Sequence, residues 1–215
     1  MWRIVAAGTL ALTTAYLIYG VHLNRAAEAS VRAELADAGT PAHSVRAYPT
    51  FLQIFLRRVV ARTDERIYVG WHTPLGDGKV FWAGDFSRPP EGPLTRDLHA
   101  TWEGQTFVGF TMGETITHRH RIKGGHLIQI EDLRYGFPGM PADRGMWGIQ
   151  ARYNTRGQRL GDVSRYQMAA RSSSSSMQEI LGVLWQSSWG DYSALKALRW
   201  SRDRLAGPSF CERLG

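Results

Sequence analysis

The chain has almost no cysteine and almost no lysine. Of its 215 residues only Cys211 is a cysteine, which excludes an intrachain disulfide and leaves the redox compartment open. Of the 26 basic residues, 23 are Arg, scattered along the chain, and only Lys79, Lys123 and Lys196 are Lys. No basic block of the kind that tracks a phosphate backbone is present, which argues against a nucleic-acid partner despite a formal net charge of +7. Attraction to anionic headgroups accounts for such a charge in a chain held at a bilayer. Nucleophile and phosphate-loop motifs are also missing: there is no G-x-S-x-G, no H-E-x-x-H and no G-x-x-x-x-G-K-[ST]. No internal repeat is evident.

Long apolar runs are absent too, with one exception. Ile4 to Asn24 carries no charge, is broken only by His22, and lies between Arg3 and Arg25. At about 1.5 Å per residue, a helix of about 20 residues crosses the roughly 30 Å hydrocarbon layer. Trp2, Tyr16 and Tyr19 suit the aromatic belts at the two interfaces. A cleavable signal peptide is the competing reading, since Ala27-Glu28-Ala29 has the small-x-small form of a processing site; its apolar region would run only about 7–15 residues, however. The helical pattern continues past that point, with Glu28 and Arg32 at i,i+4, Val31 and Leu35 on one face, and Gly39 and Pro41 as a stop. The spacing predicts one helix from about residue 3 to about residue 38. Residues 1–25 form the transmembrane part, 26–40 a helical stalk carrying the domain away from the lipid, and 41–215 a soluble α+β domain. Arg3 and Arg25 balance, so the charge bias does not choose the side of the membrane.

Roughly 175 residues after the stalk suffice for one domain with a proper core. Most of it reads as strand. Ile67, Val69 and Trp71 alternate with Tyr68, Gly70 and His72, and the turn 73–78 leads into Val80-Phe81-Trp82-Ala83. Residues 115–122 and 126–135 flank Lys123-Gly124-Gly125, and residues 145–153 and 160–168 flank Asn154-Thr155-Arg156-Gly157, giving two further hairpins. Phe51 to Leu56 is an apolar run assigned to strand. One helix is predicted within 94–110, weakened by Gly104 and Gly109. The five serines 172–176 read as a solvated loop capping a helix that carries Ile180, Leu181, Leu184 and Trp185, and Leu195, Leu198 and Arg199 suggest a last short helix. The class is therefore α+β, mainly antiparallel sheet with flanking helices.

Two clusters could carry chemistry. His118 and His120, at i,i+2 on a strand, present two imidazoles on one face to a metal, with Glu114, His126 or Asp132 as the third ligand if the fold brings one near. Ile116 and Ile122 share that face, so partly buried histidines with ordinary hydrogen bonds are the alternative. Asp132 and Arg134 also share a face; such a pair handles anions or protons in some enzymes, and a structural ion pair is the favoured reading. Trp71, Trp82, Trp102 and Trp147 could line a cleft or serve only as core.

Tyr48-Pro49-Thr50-Phe51-Leu52-Gln53, Arg58-Val59-Val60, Ile67-Tyr68-Val69-Gly70 and Ile130-Glu131-Asp132-Leu133-Arg134-Tyr135-Gly136 resemble, in this order, the soluble C-terminal region of bacterial membrane-bound metal-dependent hydrolases of the LexA-regulated inner-membrane type. The resemblance spans about residues 26 to 190. It implies an inner-membrane location and a divalent metal. The chain departs from the pattern at Gln53 for Asn, Phe51 for Pro and Arg57 for Trp, and it lacks the His-Arg-Gly-x-Thr-His element that carries that family's metal ligands; His118-Arg119-His120 does not correspond to it. The apolar helix would then match the last membrane span of a longer relative, and a chain started too late would look the same. Three functions are open at this stage. One is an accessory or substrate-binding module, a second a divergent hydrolase using His118 and His120, and a third a structural envelope protein docking onto another membrane protein.

Overall fold

The computed structural model describes residues 2–50, 53–88, 91–137, 140–167 and 177–197. Helix α1, Trp2–Asp37, is a single helix of 36 residues. It is long and apolar enough to cross a membrane, and its most apolar window is wholly uncovered by the rest of the chain. Within it, Thr9 and Thr13 turn their hydroxyls back onto the carbonyls of Val5 and Thr9, at 3.0 and 2.9 Å, so these polar groups need no water.

The second half of α1 is not a free stalk. Leu23, Ala27, Val31 and Leu35, each four residues after the last, are buried. Ala27, Val31 and Leu35 pack onto Val45, Ala47, Val59 and Ala61 of the first sheet, because an i,i+4 stripe forms one narrow apolar ridge along a helix. The helix ends where Gly39 takes a φ of 72° and the N–H groups of Gly39 and Thr40 return to the carbonyls of Ala36 and Leu35, both at 2.9 Å.

Two antiparallel sheets follow, each with its strands in chain order. The first holds β1 (Ser44–Pro49), β2 (Arg57–Arg62), β3 (Arg66–His72) and β4 (Val80–Ser87). The second holds β5 (Thr115–Ile122), β6 (Gly125–Asp132), β7 (Trp147–Asn154) and β8 (Arg159–Gln167). Alternation divides the work of the first sheet. Val59 and Ala61 face α1, while Val60, Ile67 and Val69 meet Ile116 of the second sheet and Leu133, in the turn just past β6.

The second sheet buries Ile128, Ile130, Ile149, Ala151 and Tyr153 beneath Leu98. Leu98 lies on α2 (Pro93–Ala100), which is followed by α3 (Trp102–Phe110). The one helix expected within 94–110 is thus two. Thr101 is extended, at φ −69° and ψ 159°, and serves both: its hydroxyl donates to the Leu98 carbonyl at 2.8 Å and accepts from the Gly104 N–H at 2.9 Å. Gly104 does not weaken the helix here. It lets the second helix close against the Leu98 and His99 backbone, where a Cβ has no room.

Of the strand expected at 51–56, the described part, 53–56, is a bend instead. The Gln53 carbonyl oxygen accepts the N–H groups of Phe55 and Leu56 at 2.6 and 2.8 Å, and its amide donates to Thr50 and to the Leu56 carbonyl. One side chain closes a bend, and β2 starts only at Arg57. Helices α4 (Met177–Ser188) and α5 (Ser193–Ala197) cover the end of the first sheet, where Ile180, Val183, Leu184 and Leu195 enclose Leu56 and Trp71. Phe51, Leu52, Met168, the five serines, Leu198, Arg199 and Cys211 lie outside the described residues.

Candidate functional site

Register builds a polar patch on the second sheet. His118 stands opposite Gln129, and Gln129 opposite Gln150; His120 stands opposite Leu127, and Ile116 opposite Glu131. His118, His120, Gln129, Gln150 and Glu131 therefore share the face turned away from Ile128 and Ile130.

Hydrogen bonds lock the two imidazoles. The Gln129 amide donates to the Gln150 carbonyl oxygen at 3.0 Å, so its own oxygen is presented to His120 Nε2, also at 3.0 Å. His118 Nε2 lies 2.7 Å from the Asp143 carbonyl. Both partners are acceptors, which assigns the proton to Nε2 in each ring and leaves each Nδ1 as an acceptor. The rings stack with centroids 6.1 Å apart. Burial, followed by the Arg144 charge, pushes the His118 pKa down to about 4, and the same two causes lower that of His120. Both rings are neutral near pH 7.

Beside them Glu131 is fully buried. One carboxylate oxygen lies 2.6 Å from Arg144 Nη1 and the other accepts the Gly145 N–H at 2.8 Å. Burial pushes the Glu131 pKa up, and the Arg144 charge and the Gly145 bond pull it back. Tyr166 is driven up to about 12 by burial and by the Glu131 charge. Perturbed groups gathered on one face mark this patch as the candidate site. Chemically it offers two neutral imidazole acceptors and an amide ladder. Its carboxylate is already engaged by a guanidinium and a backbone N–H.

The proposed metal ligands are not all brought together. His118 and His120 are neighbours, but His126 points to the opposite face, with Nε2 3.0 Å from the Arg119 guanidinium. Glu114 pairs with Arg62 at 3.0 Å, and Asp132 accepts from Arg134 and from the Trp147 indole at 3.1 Å. Among the described residues no group of three or more His, Cys, Asp or Glu side chains is placed to hold a metal ion. Asp132 and Arg134 do meet, as the ion pair that their spacing suggests.

The segments behind the family resemblance converge on Arg58. Its guanidinium, buried and pushed down to about 10 by that burial, donates to the carbonyls of Leu133, Ala142 and Arg144 at 2.9, 3.3 and 3.4 Å and lies over Trp71. Tyr48 is its cross-strand partner, and Gly136 packs so closely on the guanidinium that a Cβ would displace it. These segments build the join between the two sheets. No known protein family, no curated protein and no solved structure matches the chain.

Sequence reasoning picked out the histidines but not Gln129, Gln150, Glu131, Arg144 or Tyr166 as their neighbours. The register of the hairpin closed by Lys123 and Gly124 could have paired His118 with Gln129. Nothing in the pattern points to Arg144, because it reaches the sheet from a loop.

Proposed function

We propose that this protein is a single-pass inner-membrane accessory domain that holds a polar ligand on the face of the second sheet around His118 and His120, without breaking bonds itself. The carrying observation is that α1 is uncovered over its apolar half and buried at Leu23, Ala27, Val31 and Leu35. An uncovered apolar helix of this length needs lipid around it. A continuous helix from lipid into core sets the domain at a fixed height and orientation, as suits a module that presents a ligand to a membrane neighbour. Cleavage after Ala29 would remove Leu23 and Ala27 from the core, together with Asn24, the hydrogen-bond partner of Arg57. This favours anchor over signal peptide.

Binding is favoured over catalysis by the state of the patch. The carboxylate is occupied, and both imidazoles are fixed by their Nε2 protons with Nδ1 left to accept a ligand's donors. The full chain in lipid nanodiscs, screened by thermal denaturation against a panel of small polar molecules, tests this. A compound that raises the melting temperature of the native chain and not of His120→Leu is expected. Turnover of such a compound at a rate abolished by the same substitution overturns the binding-only reading. Recovery of a chain beginning at Ser30 overturns the anchor.

A further inference from the structure

We propose that α4 makes a second membrane contact, laying Leu181, Trp185 and Trp189 into the interfacial layer of the bilayer that α1 enters; this rests on α1 being a membrane span.

The inward side of α4 is occupied by Ile180, Val183 and Leu184. Its outward side is mixed, with an apolar stripe running beside the exposed polar residues Gln178, Glu179 and Gln186. Leu181, Trp185 and Trp189, spaced four apart with Trp189 just past the helix end, form one stripe, and the two indoles are 68% and 58% exposed. They meet edge to face with centroids 5.8 Å apart. Two adjoining indoles held outward are poorly matched to water, whereas Trp rings at the headgroup level combine an apolar body with a donor for the polar layer, where the flanking Gln178, Glu179 and Gln186 are also at home.

Position supplies the occupant. The α4–α5 hairpin is fastened to the end of the first sheet from which α1 departs. Thr73 donates its hydroxyl proton to the Ser188 carbonyl at 2.7 Å and its N–H to the Tyr192 hydroxyl at 3.0 Å. Gly76 and Gly190 touch backbone to backbone, so closely that a Cβ on either would meet the other's Cα. Thr73 directly follows His72, the cross-strand partner of Arg57. Arg57 in turn bonds the Asn24 side chain and, at 3.0 Å, the Gly20 carbonyl, at the point where the apolar run of α1 ends. The aromatic stripe is thus carried at the same end of the sheet as the bilayer entry. An interfacial helix lies in the membrane plane with its apolar side in the headgroup and acyl boundary, which is the contact this stripe can make.

The test uses the full chain, labelled with fluorotryptophan, in nanodiscs. The fluorine resonances of Trp185, Trp189, Trp2 and Trp102 are assigned by single Trp→Phe variants. Two broadening agents are compared: a phospholipid spin-labelled near the top of its acyl chain and a water-soluble gadolinium chelate. Loss of the Trp185 and Trp189 signals with the lipid label, and their survival with the chelate, is the expected result; Trp102, 76% exposed on α3, should behave in the reverse way. If Trp2 is lost with the lipid label while Trp185 and Trp189 are lost only with the chelate, the stripe is in water and the proposal fails alone. If Trp2 also answers only to the chelate, the span reading fails with it. Survival of both α4 signals with either agent shows a protein cover, from the C-terminal residues or a second copy, and overturns the lipid assignment.

Discussion

Asp132 and Arg134 grip each other across a single residue at the end of β6. Arg134 Nη2 lies 2.9 Å from Oδ2 and Nε 3.0 Å from Oδ1, while the Arg134 backbone N–H also donates to Oδ1 at 2.9 Å. The carboxylate has no exposed surface and the guanidinium side chain is 7% exposed. The chain turns back on itself around this pair, with the guanidinium lying over Phe110 and Tyr135.

Breaking such a pair on one side leaves a desolvated charge. Asp132→Ala and Arg134→Ala are each expected to lower the unfolding free energy by about 3–5 kcal/mol, and a double replacement with apolar residues of similar size should recover much of that. Denaturant melts of the three variants measure it. Normal stability in both single variants would show that the pair is held for a ligand and not for the fold.

Stability should also carry the signature of buried neutral imidazoles. Unfolded, His118 takes up a proton near pH 6.5; folded, it resists until about 4 because of burial and the Arg144 charge, which outweigh the nearby Asp143. The unfolded state therefore binds more protons in that window. The His118 contribution is whole above about pH 6.5 and is lost as the pH falls towards 4. His120 and His72, also lowered by burial, add to the same slope. His118→Gln keeps a donor for the Asp143 carbonyl without a titrating group, and its melting temperature should fall less steeply between these pH values. An unchanged slope would place the acid sensitivity elsewhere.

Much of the architecture is legible because it rests on local rules. The run Ile4 to Asn24 followed by an i,i+4 stripe yields a single helix, and the glycine turns at 123–125 and 154–157 yield the hairpins that are found. What escapes is set by side chains acting on backbone. Thr101 divides one helical pattern in two, and Gln53 folds an apolar run into a bend; neither event has a periodicity. Burial of the stripe on α1 beneath the first sheet is likewise tertiary, since Val31 and Leu35 read equally well as a free helix face. The candidate site was half legible. His118 and His120 share a face by the period of a strand, but Arg144 arrives from a loop and Glu131 becomes its partner only through the fold.

The two middle strands of the second sheet leave no space at Gly148, which stands opposite Glu131. A Cβ there would run into the Ile130 carbonyl oxygen and crowd the Glu131 backbone. Gly148→Ala is expected to cost about 1–3 kcal/mol, as overpacking does, and to pull Glu131 away from Arg144. Thermal melts give the first effect. The second should appear as a shift in the His118 and His120 imidazole resonances, since Arg144 bears on both rings. A destabilised variant with unmoved imidazole signals would show that the site tolerates a displaced strand.

Arg57 joins the first sheet to α1 where the apolar run ends. It is 1% exposed, and burial pushes its pKa down to about 10, so it remains charged at neutral pH. Its acceptors are uncharged, the Asn24 side chain and the Gly20 carbonyl, and the planar fork suits two such acceptors in a way that a lysine ammonium does not. Arg57→Ala and Arg57→Lys should therefore both loosen the junction, at about 1–3 kcal/mol for polar groups left without partners. The place to look is amide hydrogen exchange in nanodiscs. Exchange over residues 20–27 should quicken in both variants while the amides of the second sheet keep their native rates. Arg57→Met separates bonding from packing, because it fills the space but restores no hydrogen bond. Native exchange in Arg57→Met would show that packing alone holds the domain to its helix, and faster exchange there would show that the guanidinium is the clasp.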